Sequence, residues 1–436
     1  MQSEIISCKD PGTGDLCFRI LHPSGLEIRV TEMPDFSTAY AQLGIKFGAA
    51  YREFRMNGSG THVHLPPGTA HYLEHKLFEK EDGDVAGKFA QLGASDNAFT
   101  DYDRTVYYFR TQQHFYEALA LLLDFVQQPY FTAESVARER SIILQELTEA
   151  LDGPADQGFL QLMKGLYHAY PLYPHILGTA ESIAAITEDT LMQGYSAFYN
   201  LHNMVLCCAG NVRIQEILAV ADRHLIPAPP MQAAAVFPHE PAAPAASFCR
   251  CKMPVGKTQF SIGFKSPPAA GLQRLRESLL SSLTADLLIG SAAPLYQKLL
   301  HDGLLNDTFD TDCFAGDGWF TVLFEGESDQ PEAVLQALCD EIRRMQTEGI
   351  DKELFAILKK AAYGDSIIGM NNPESACTAM LDAFIWDCDS PFDRTAVLAE
   401  IRAEDVQRCL RERFRSESVC LSVIEPESPG KEESEL

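Results

Sequence analysis

The sequence lacks any run of about 18 apolar residues, the length that a helix needs to cross a bilayer. Its longest apolar stretch, around Ala118 to Val126, is interrupted by Asp124. The N-terminus has an acid before any base and lacks the apolar segment of a secretory signal. We therefore expect a soluble protein that stays in the cytoplasm and has no membrane anchor.

Basic residues are scarce as well. The chain has 35 Lys and Arg against 61 Asp and Glu, which gives a formal net charge of -26 at pH 7. Such a charge repels the phosphates of nucleic acids and the head groups of anionic lipids. The composition thus excludes nucleic acids and membrane surfaces as partners and favours basic or neutral ligands.

Several catalytic signatures are also missing. The chain has no Gly-x-Ser-x-Gly turn of a serine hydrolase and no Cys-x-x-Cys pair of a zinc or redox site. Gly256-Lys257-Thr258 resembles the end of a phosphate-binding loop, but Cys251 stands where that loop needs its first glycine. Most cysteines, Cys207 and Cys420 among them, lie in apolar runs and are predicted to be reduced core thiols.

A length of 436 residues exceeds what one hydrophobic core usually supports, which favours two domains. Residues 226–250 are rich in proline and alanine, and the fixed φ and missing amide donor of proline disfavour regular structure. We predict an N-terminal domain over 1–225, a linker over 226–250, a C-terminal domain over 251–426 and an acidic, unstructured tail over 427–436.

The two predicted domains share a sequence pattern. An amphipathic helix and an apolar strand follow Ile186, and the same succession follows Ile401, with an offset of 215 or 216 residues throughout. A single repeat of this length indicates two copies of one domain, because solenoid repeats recur every 20 to 50 residues or so.

Strand and helix patterns alternate irregularly in the first half, which is typical of the α+β class. We predict two homologous domains, each a mainly antiparallel sheet with helices packed on one face. The last predicted helix of this half has Thr132 as its N-cap and Gly153-Pro154 as its stop signal. The predicted strands cover 25–30, 39–47 and 105–109, and the predicted helices cover 70–78, 115–126 and 132–151.

One short motif carries chemistry: His71-Tyr-Leu-Glu74-His75, in the predicted helix that follows Pro66-Pro67-Gly68. Positions i and i+4 lie one turn apart on the same face of a helix, so both imidazoles can reach one zinc ion. Glu74 flanks the same place and could act as the general base for an attacking water. A polar helix face without metal is the alternative.

Two glutamates, Glu139 and Glu146, lie seven residues apart and therefore on one face of the helix predicted over 132–151. They border an apolar stripe, where a carboxylate needs a cation, a histidine proton or a metal as partner. Salt bridges with the neighbouring Arg138 and Arg140 are the alternative. The stripe predicted to be buried consists of Val136, Ile143, Leu147 and Leu151.

These residues resemble the pitrilysin and insulinase family of zinc metallopeptidases, and the resemblance covers most of the chain. It implies a metalloendopeptidase that hydrolyses unfolded peptides, with one Zn²⁺ per chain held by His71, His75 and Glu146. It also implies that Glu74 is the catalytic base. Glu139 would be a second catalytic carboxylate, which orients the metal ligands without binding the metal itself. All five positions are filled in this sequence.

The resemblance extends to Asn97-Ala98-Phe99-Thr100, which is similar to the family's edge strand. It implies that Asn97, Ala98 and Thr100 bind the substrate as an added strand. The sequence from His71 to Val85 is most similar to that of the bacterial YfmH-type branch, which is associated with aminopentanol modification of elongation factor P.

One departure from the family concerns an Arg and a Tyr that contact the substrate carbonyl from the second domain. Leu300 and Asn306 stand near their positions, so the pair is absent. This implies a heterodimer with a related subunit that supplies the pair. A non-catalytic scaffold or peptide-binding subunit of such a heterodimer is the alternative function, and the intact five-residue set argues against it.

A second histidine pair, His62-x-His64, is predicted to alternate on one face of a strand just before the motif helix. The pair could bind a metal ion, and an exposed pair without a ligand is the alternative.

Overall fold

The computed structural model describes residues 3–57 and 60–427. Of the predicted tail over 427–436, all but Glu427 lies outside the described residues. The helices are α1 (Thr69–Phe78), α2 (Val85–Gln91), α3 (Phe115–Gln127), α4 (Ala133–Asp152), α5 (Pro154–Leu166), α6 (Ala180–Ala185), α7 (Glu188–Phe198), α8 (Ile214–His224), α9 (Gly271–Ile289), α10 (Pro294–His301), α11 (Pro331–Glu348), α12 (Lys352–Gly369), α13 (Pro373–Ile385), α14 (Asp393–Glu400) and α15 (Ala403–Glu412).

The strands complete the α+β architecture that the sequence predicted. They are β1 (Glu4–Lys9), β2 (Leu16–Leu21), β3 (Glu27–Glu32), β4 (Ala39–Ile45), β5 (Glu53–Met56), β6 (His62–His64), β7 (Glu79–Lys80), β8 (Gly83–Asp84), β9 (Ser95–Thr100), β10 (Thr105–Thr111), β11 (Met204–Gly210), β12 (Ala233–Ala235), β13 (Phe248–Met253), β14 (Gln259–Lys265), β15 (Asp310–Gly316), β16 (Trp319–Glu327) and β17 (Val419–Pro426).

The chain forms two compact units that are interleaved in sequence. Unit 1 comprises Met1–Thr148, Pro174–Phe237 and Gly364–Ala396, and unit 2 comprises Glu149–Tyr173, Pro238–Tyr363 and Val397–Leu436. Each unit thus consists of three separate segments of the chain. The division into domains at 1–225 and 251–426 stays a prediction. The predicted linker over 226–250 contains β12, which pairs with β5, and the first residues of β13.

Unit 1 is built on a seven-stranded sheet with the order β1-β2-β3-β11-β4-β10-β9. β11 runs parallel to β3 and antiparallel to β4, and the remaining pairs are antiparallel. α13 packs on the face that carries Val205 and Cys207, in the cluster that includes Met380 and Leu381. A Cβ atom on Gly44 would lie 2.2 Å from Cδ1 of Leu381, so only glycine lets α13 approach here.

Unit 2 has a five-stranded sheet with the order β13-β17-β14-β16-β15. β17 runs parallel to β13 and antiparallel to β14, which is the arrangement that β11 has in unit 1. The two strands are the ones that the repeat offset aligned. α5 packs on this sheet, and a Cβ on Gly263 would lie 2.7 Å from Cδ1 of Leu166. Each sheet thus has a glycine on the strand where a helix packs closely against it.

α4 begins and ends where its sequence signals lie. The Thr132 hydroxyl accepts a hydrogen bond from the Ser135 amide at 3.1 Å, as an N-cap does, and Pro154 opens the next helix. Val136, Ile143 and Leu147 are buried as predicted. The prediction for Leu151 is wrong, since its side chain is 36% exposed. This last turn belongs to the segment Glu149–Tyr173, which is part of unit 2.

A glutamate from the predicted linker region holds a turn of unit 2 together. Glu240 accepts hydrogen bonds from the amides of His168, Ala169 and Tyr170 and from Nζ of Lys265. These donors keep the pKa of Glu240 below its ordinary value although burial alone would raise it.

Within the described ranges, no single helix is both long and apolar enough to cross a membrane. α9 and α10 reach that length and composition only as a pair with a bend of 46° between them. Most side chains of α9 are buried within unit 2.

Candidate metal centre

The motif helix α1 starts at a backbone position that requires glycine. Gly68 has φ 91°, and a Cβ there would lie 2.3 Å from the carbonyl oxygen of Leu177. Tyr72, Leu73 and Leu77 of α1 are fully buried, which fixes the rotation of the helix. The motif side chains therefore point in a set direction.

The structure brings together three of the predicted site residues, two from α1 and one from α4. Oε2 of Glu146 lies 3.5 Å from Nε2 of His75 and 3.9 Å from Nε2 of His71. One donor atom from each residue lies within 4.8 Å of the other two. Two imidazole nitrogens and one carboxylate oxygen are the donors that Zn²⁺ takes in catalytic sites, so the set fits this metal.

Glu139 orients one of the two histidines. Its carboxylate accepts a hydrogen bond from Nδ1 of His75 at 2.9 Å, which leaves Nε2 directed at Glu146. This bond, working against burial, keeps the pKa of Glu139 below its ordinary value. Burial lowers the pKa of His75, but the bond to Glu139 and the charges of Glu146 and Glu74 outweigh it and raise that pKa.

His71 has a different environment. Burial, with help from His75 and His175, lowers the pKa of His71 to about 3. Its Nδ1 is buried and has no hydrogen-bond partner among the described residues. The ring is therefore neutral at physiological pH, the form in which histidine binds a metal.

Glu74 lies beside the three donors and is largely buried. The hydroxyl of Thr100 donates a hydrogen bond to its Oε2 at 2.7 Å. Burial raises the pKa of Glu74, and the bond from Thr100 offsets part of that rise. A carboxylate with a raised pKa is suited to accept a proton and release it again.

An open cavity of about 780 Å³ adjoins these residues in unit 1. Its wall combines acidic, basic and apolar side chains, most of them from α1, β7, β8, β9 and α4. It is lined by Glu74, His75, Phe78, Glu79, Lys80, Glu81, Gly83, Asp84, Asn97, Ala98, Tyr130, Arg138, Glu139 and Ile142.

The predicted substrate-binding residues lie on β9, an edge strand of the seven-stranded sheet. β9 pairs with β10 along one side, so its other side is open to a further strand. Asn97 and Ala98 line the cavity, whereas Thr100 is engaged with Glu74. The sequence did not predict that Thr100 would bind the glutamate.

The positions of the missing Arg and Tyr lie in unit 2. Leu300 is 40% exposed on α10. The side-chain nitrogen Nδ2 of Asn306 donates a hydrogen bond to Oε2 of Glu327 at 2.8 Å. Neither side chain has the positive charge or the phenol that the family's pair would contribute.

The sequence analysis missed two residues near the centre. His175 acts on His71 through its charge, and it lies in an irregular segment without a motif of its own. Tyr107 is fully buried, and its hydroxyl lies 2.9 Å from that of Tyr199. Burial raises the pKa of Tyr107, and the charge of Glu74 adds to the effect. In the sequence Tyr107 is part of a strand pattern, and that pattern does not indicate that Glu74 lies nearby.

Comparison with known proteins gives matches over most of the chain. The model of the insulinase family, peptidase family M16, matches residues 57–180, and that of the peptidase M16 inactive domain matches 185–362. The uncharacterized zinc protease YmfH of Bacillus subtilis is 32% identical over 93% of this chain and 95% of its own length.

Two further matches extend the comparison. A mitochondrial-processing peptidase subunit beta of Schizosaccharomyces pombe is 29% identical over 46% of this chain and 43% of its own. A crystal structure of an M16-like peptidase from Alicyclobacillus acidocaldarius superposes with a TM-score of 0.90 at 28% identity, covering 98% of this chain and 99% of that one.

Proposed function

The chain belongs to the insulinase family of M16 peptidases, and we propose that it is a zinc-dependent metalloendopeptidase that hydrolyses unfolded peptides. The observation that carries the proposal is the meeting of His71, His75 and Glu146 within 4.8 Å, beside the buried Glu74. The third donor from α4 supports a metal site over a polar helix face without a ligand.

His71, His75 and Glu146 would hold the metal, and Glu139 would keep the ring of His75 turned toward it. Zinc bound here would supply a Lewis acid that polarises a peptide carbonyl and acidifies water. The low pKa of His71 supports this role, because the ring needs no deprotonation before it binds a cation.

Glu74 would act as general base and then as general acid. It takes a proton from the attacking water and gives it to the nitrogen of the departing amine. The Thr100 hydroxyl binds one carboxylate oxygen, Oε2, so the other is free for the proton. Thr100 thus positions the base rather than taking part in the proton transfer.

The substrate would pair with the open side of β9 as an added strand. This mode recognises backbone amides and carbonyls, so it accepts many sequences but requires an extended, unfolded segment. The mixed charge of the adjoining cavity fits such tolerance.

A related subunit is part of the proposal. Leu300 and Asn306 offer no cation or phenol to a substrate carbonyl, so a partner chain that carries an Arg and a Tyr at these positions would complete the site. The Schizosaccharomyces pombe relative is itself named as a subunit. We also propose that the protein acts in the cytoplasm.

A non-catalytic scaffold or peptide-binding subunit is the second candidate function. The match of 185–362 to the M16 inactive domain favours it for that part of the chain. The donors and base lie outside that range, in the part that matches the peptidase model. A role beside aminopentanol modification of elongation factor P, as in the YfmH-type branch, remains a prediction.

The test combines metal analysis with peptide hydrolysis. We would measure zinc per chain in the wild type and in Glu146→Gln, with Glu134→Gln, an exposed glutamate of the same helix, as control. We would also measure hydrolysis of a quenched, unstructured peptide with and without a co-expressed related subunit that carries the Arg and Tyr.

We expect one tightly bound zinc in the wild type and in Glu134→Gln, and loss of this tightly bound zinc in Glu146→Gln. Hydrolysis should occur only when the related subunit is present. One zinc without hydrolysis in either combination would favour the scaffold. A wild type that binds no zinc would exclude the metallopeptidase.

A further inference from the structure

Two strands just before α1 bring a carboxylate and two imidazoles together on an exposed face of unit 1. β5 and β6 are antiparallel, with Glu53 opposite His64 and Arg55 opposite His62. Phe54 lies between Glu53 and Arg55 and is buried, so its neighbours point outward. Glu53, His62 and His64 therefore share the outer face of this small sheet.

Each oxygen of Glu53 meets a different histidine. Oε2 lies 3.0 Å from Nε2 of His62, and Oε1 lies 3.4 Å from Nδ1 of His64. The three side chains are between 41% and 64% exposed, so water and solutes reach them. The donor types are those of His71, His75 and Glu146, but here the donor atoms do not all lie within 4.8 Å of one another, so the rings must turn to share an ion.

We propose that Glu53, His62 and His64 form a second, weaker site for a divalent transition metal such as Zn²⁺ or Cu²⁺. Imidazole nitrogen with carboxylate oxygen is the combination that these ions prefer among protein side chains. Two histidines at i and i+2 of a strand lie on one face, so both rings can turn toward one ion beside Glu53. Each then exchanges its contact with Glu53 for a bond to the metal.

The charges around the site set its strength. The formal net charge of -26 attracts divalent cations to the whole chain. Arg55 on the same face opposes this attraction. The exposed side chains must also lose rotational freedom when they bind. The second site is therefore weaker than the centre formed by His71, His75 and Glu146.

The site adjoins the motif helix in sequence. His64 is followed by Leu65, which is buried, and then by the segment that starts α1 at Thr69. A metal that clamps β5 to β6 would stabilise the strand that leads into this helix. The inference does not depend on the proposed peptidase activity, because it concerns different ligands.

The experiment counts metal on the full-length chain. Equilibrium dialysis with Zn²⁺ would be run on the wild type, His62→Ala, Glu53→Gln and His301→Ala. His301 is an exposed histidine beside an aspartate, with no second imidazole in the contacts found there, and serves as the control. Electron paramagnetic resonance of Cu²⁺ bound to a variant that carries both His71→Ala and His75→Ala would report how many nitrogens bind the ion at the second site.

We expect a second, weaker equivalent of zinc in the wild type and in His301→Ala. In His62→Ala and Glu53→Gln its affinity should fall by about tenfold or more, by analogy with the loss of supporting groups at metal sites. The copper spectrum of the variant with His71→Ala and His75→Ala should show two nitrogens, reduced to one when His62→Ala is added.

A wild type that binds a single equivalent would overturn the proposal, as would a second equivalent that persists unchanged in His62→Ala and Glu53→Gln. Failure of the peptidase proposal would show differently, as absence of the tight equivalent in the wild type and in every variant, whether or not the weaker equivalent is present. The circular dichroism of each variant checks that these exposed substitutions leave the fold intact.

Discussion

The carboxylate of Glu139 accepts a hydrogen bond from Nδ1 of His75 at 2.9 Å, across the gap between α4 and α1. The bond fixes the tautomer of the ring and leaves Nε2 with its lone pair directed at Glu146. His71 has no such partner among the described residues. The two histidines of one motif are thus held by different means.

This difference gives a prediction for Glu139→Ala. The variant should bind zinc about 10- to 100-fold more weakly than the wild type, because His75 loses the acceptor that orients it. Competition with a chelator of known affinity measures the change. Glu134→Ala on the first turn of α4 is the control and should bind zinc like the wild type. Equal affinity for Glu139→Ala would mean that packing alone orients the ring.

Glu74→Gln separates metal binding from proton transfer. The amide keeps the size of the side chain and can still accept the hydrogen bond from Thr100, but it cannot take a proton from water. We expect unchanged zinc content and a loss of peptide hydrolysis by about 10²- to 10⁴-fold. Glu81→Gln, on the wall of the same cavity, should keep most activity. Full activity in Glu74→Gln would assign the base to another residue.

A glycine of α5 gives a prediction about packing in unit 2. A Cβ on Gly165 would lie 2.6 Å from Sγ of Cys420 and 2.8 Å from Sγ of Cys249. Gly165→Ala should therefore lower the free energy of unfolding by about 1–3 kcal/mol, as overpacked cores do. Urea denaturation measures the change.

The control for this substitution is Gly87→Ala in α2. A Cβ there would meet nothing within 4 Å, so alanine should stabilise the helix by about 0.5–1 kcal/mol. If Gly165→Ala were as stable as Gly87→Ala, the two thiols would have room to move apart.

Glu325 of β16 makes unit 2 sensitive to pH. Burial raises the pKa of Glu325, partly offset by its hydrogen bond with Ser261, and Asp312 and Asp310 raise it further. A carboxyl whose pKa is higher in the folded state destabilises the fold once it ionises. Stability is therefore lost as the pH rises from the ordinary value of 4.5 through the raised pKa.

Glu325→Gln should remove this penalty. We expect the variant to be more stable than the wild type at neutral pH and to differ less and less as the pH falls below 4.5. Thermal unfolding at a series of pH values measures the difference. Glu353→Gln, at an exposed position of α12, should show no such trend. A difference that grows toward acid pH would contradict the sign of the shift.

The sequence predicted the motif helix and α4 because their signals are local. Thr132, the apolar period and Gly153-Pro154 lie within one helix, and the HxxEH spacing fixes which face carries the donors. The meeting of Glu146 with His71 and His75 is not local. It was predicted through the family resemblance, since spacing alone left a surface salt bridge open.

Other features depend on contacts that no local pattern records. The bond from Thr100 to Glu74 joins an edge strand to a helix 26 residues earlier. The shift in the pKa of His71 depends partly on His175, which belongs to a different segment of the chain. Leu151 continues the apolar period of α4 and is exposed all the same, in the part of the helix that belongs to unit 2.

α13 has a consequence for the order in which the protein is made. Its Leu381 fills the place above Gly44, yet the two residues are separated by most of the chain. A nascent chain on the ribosome has the seven strands of the first sheet long before it has the helix that covers Val205 and Cys207. Until that helix emerges, the apolar side chains on one face of the sheet remain exposed to solvent. The first sheet to be synthesised is therefore among the last parts of the molecule to be completed.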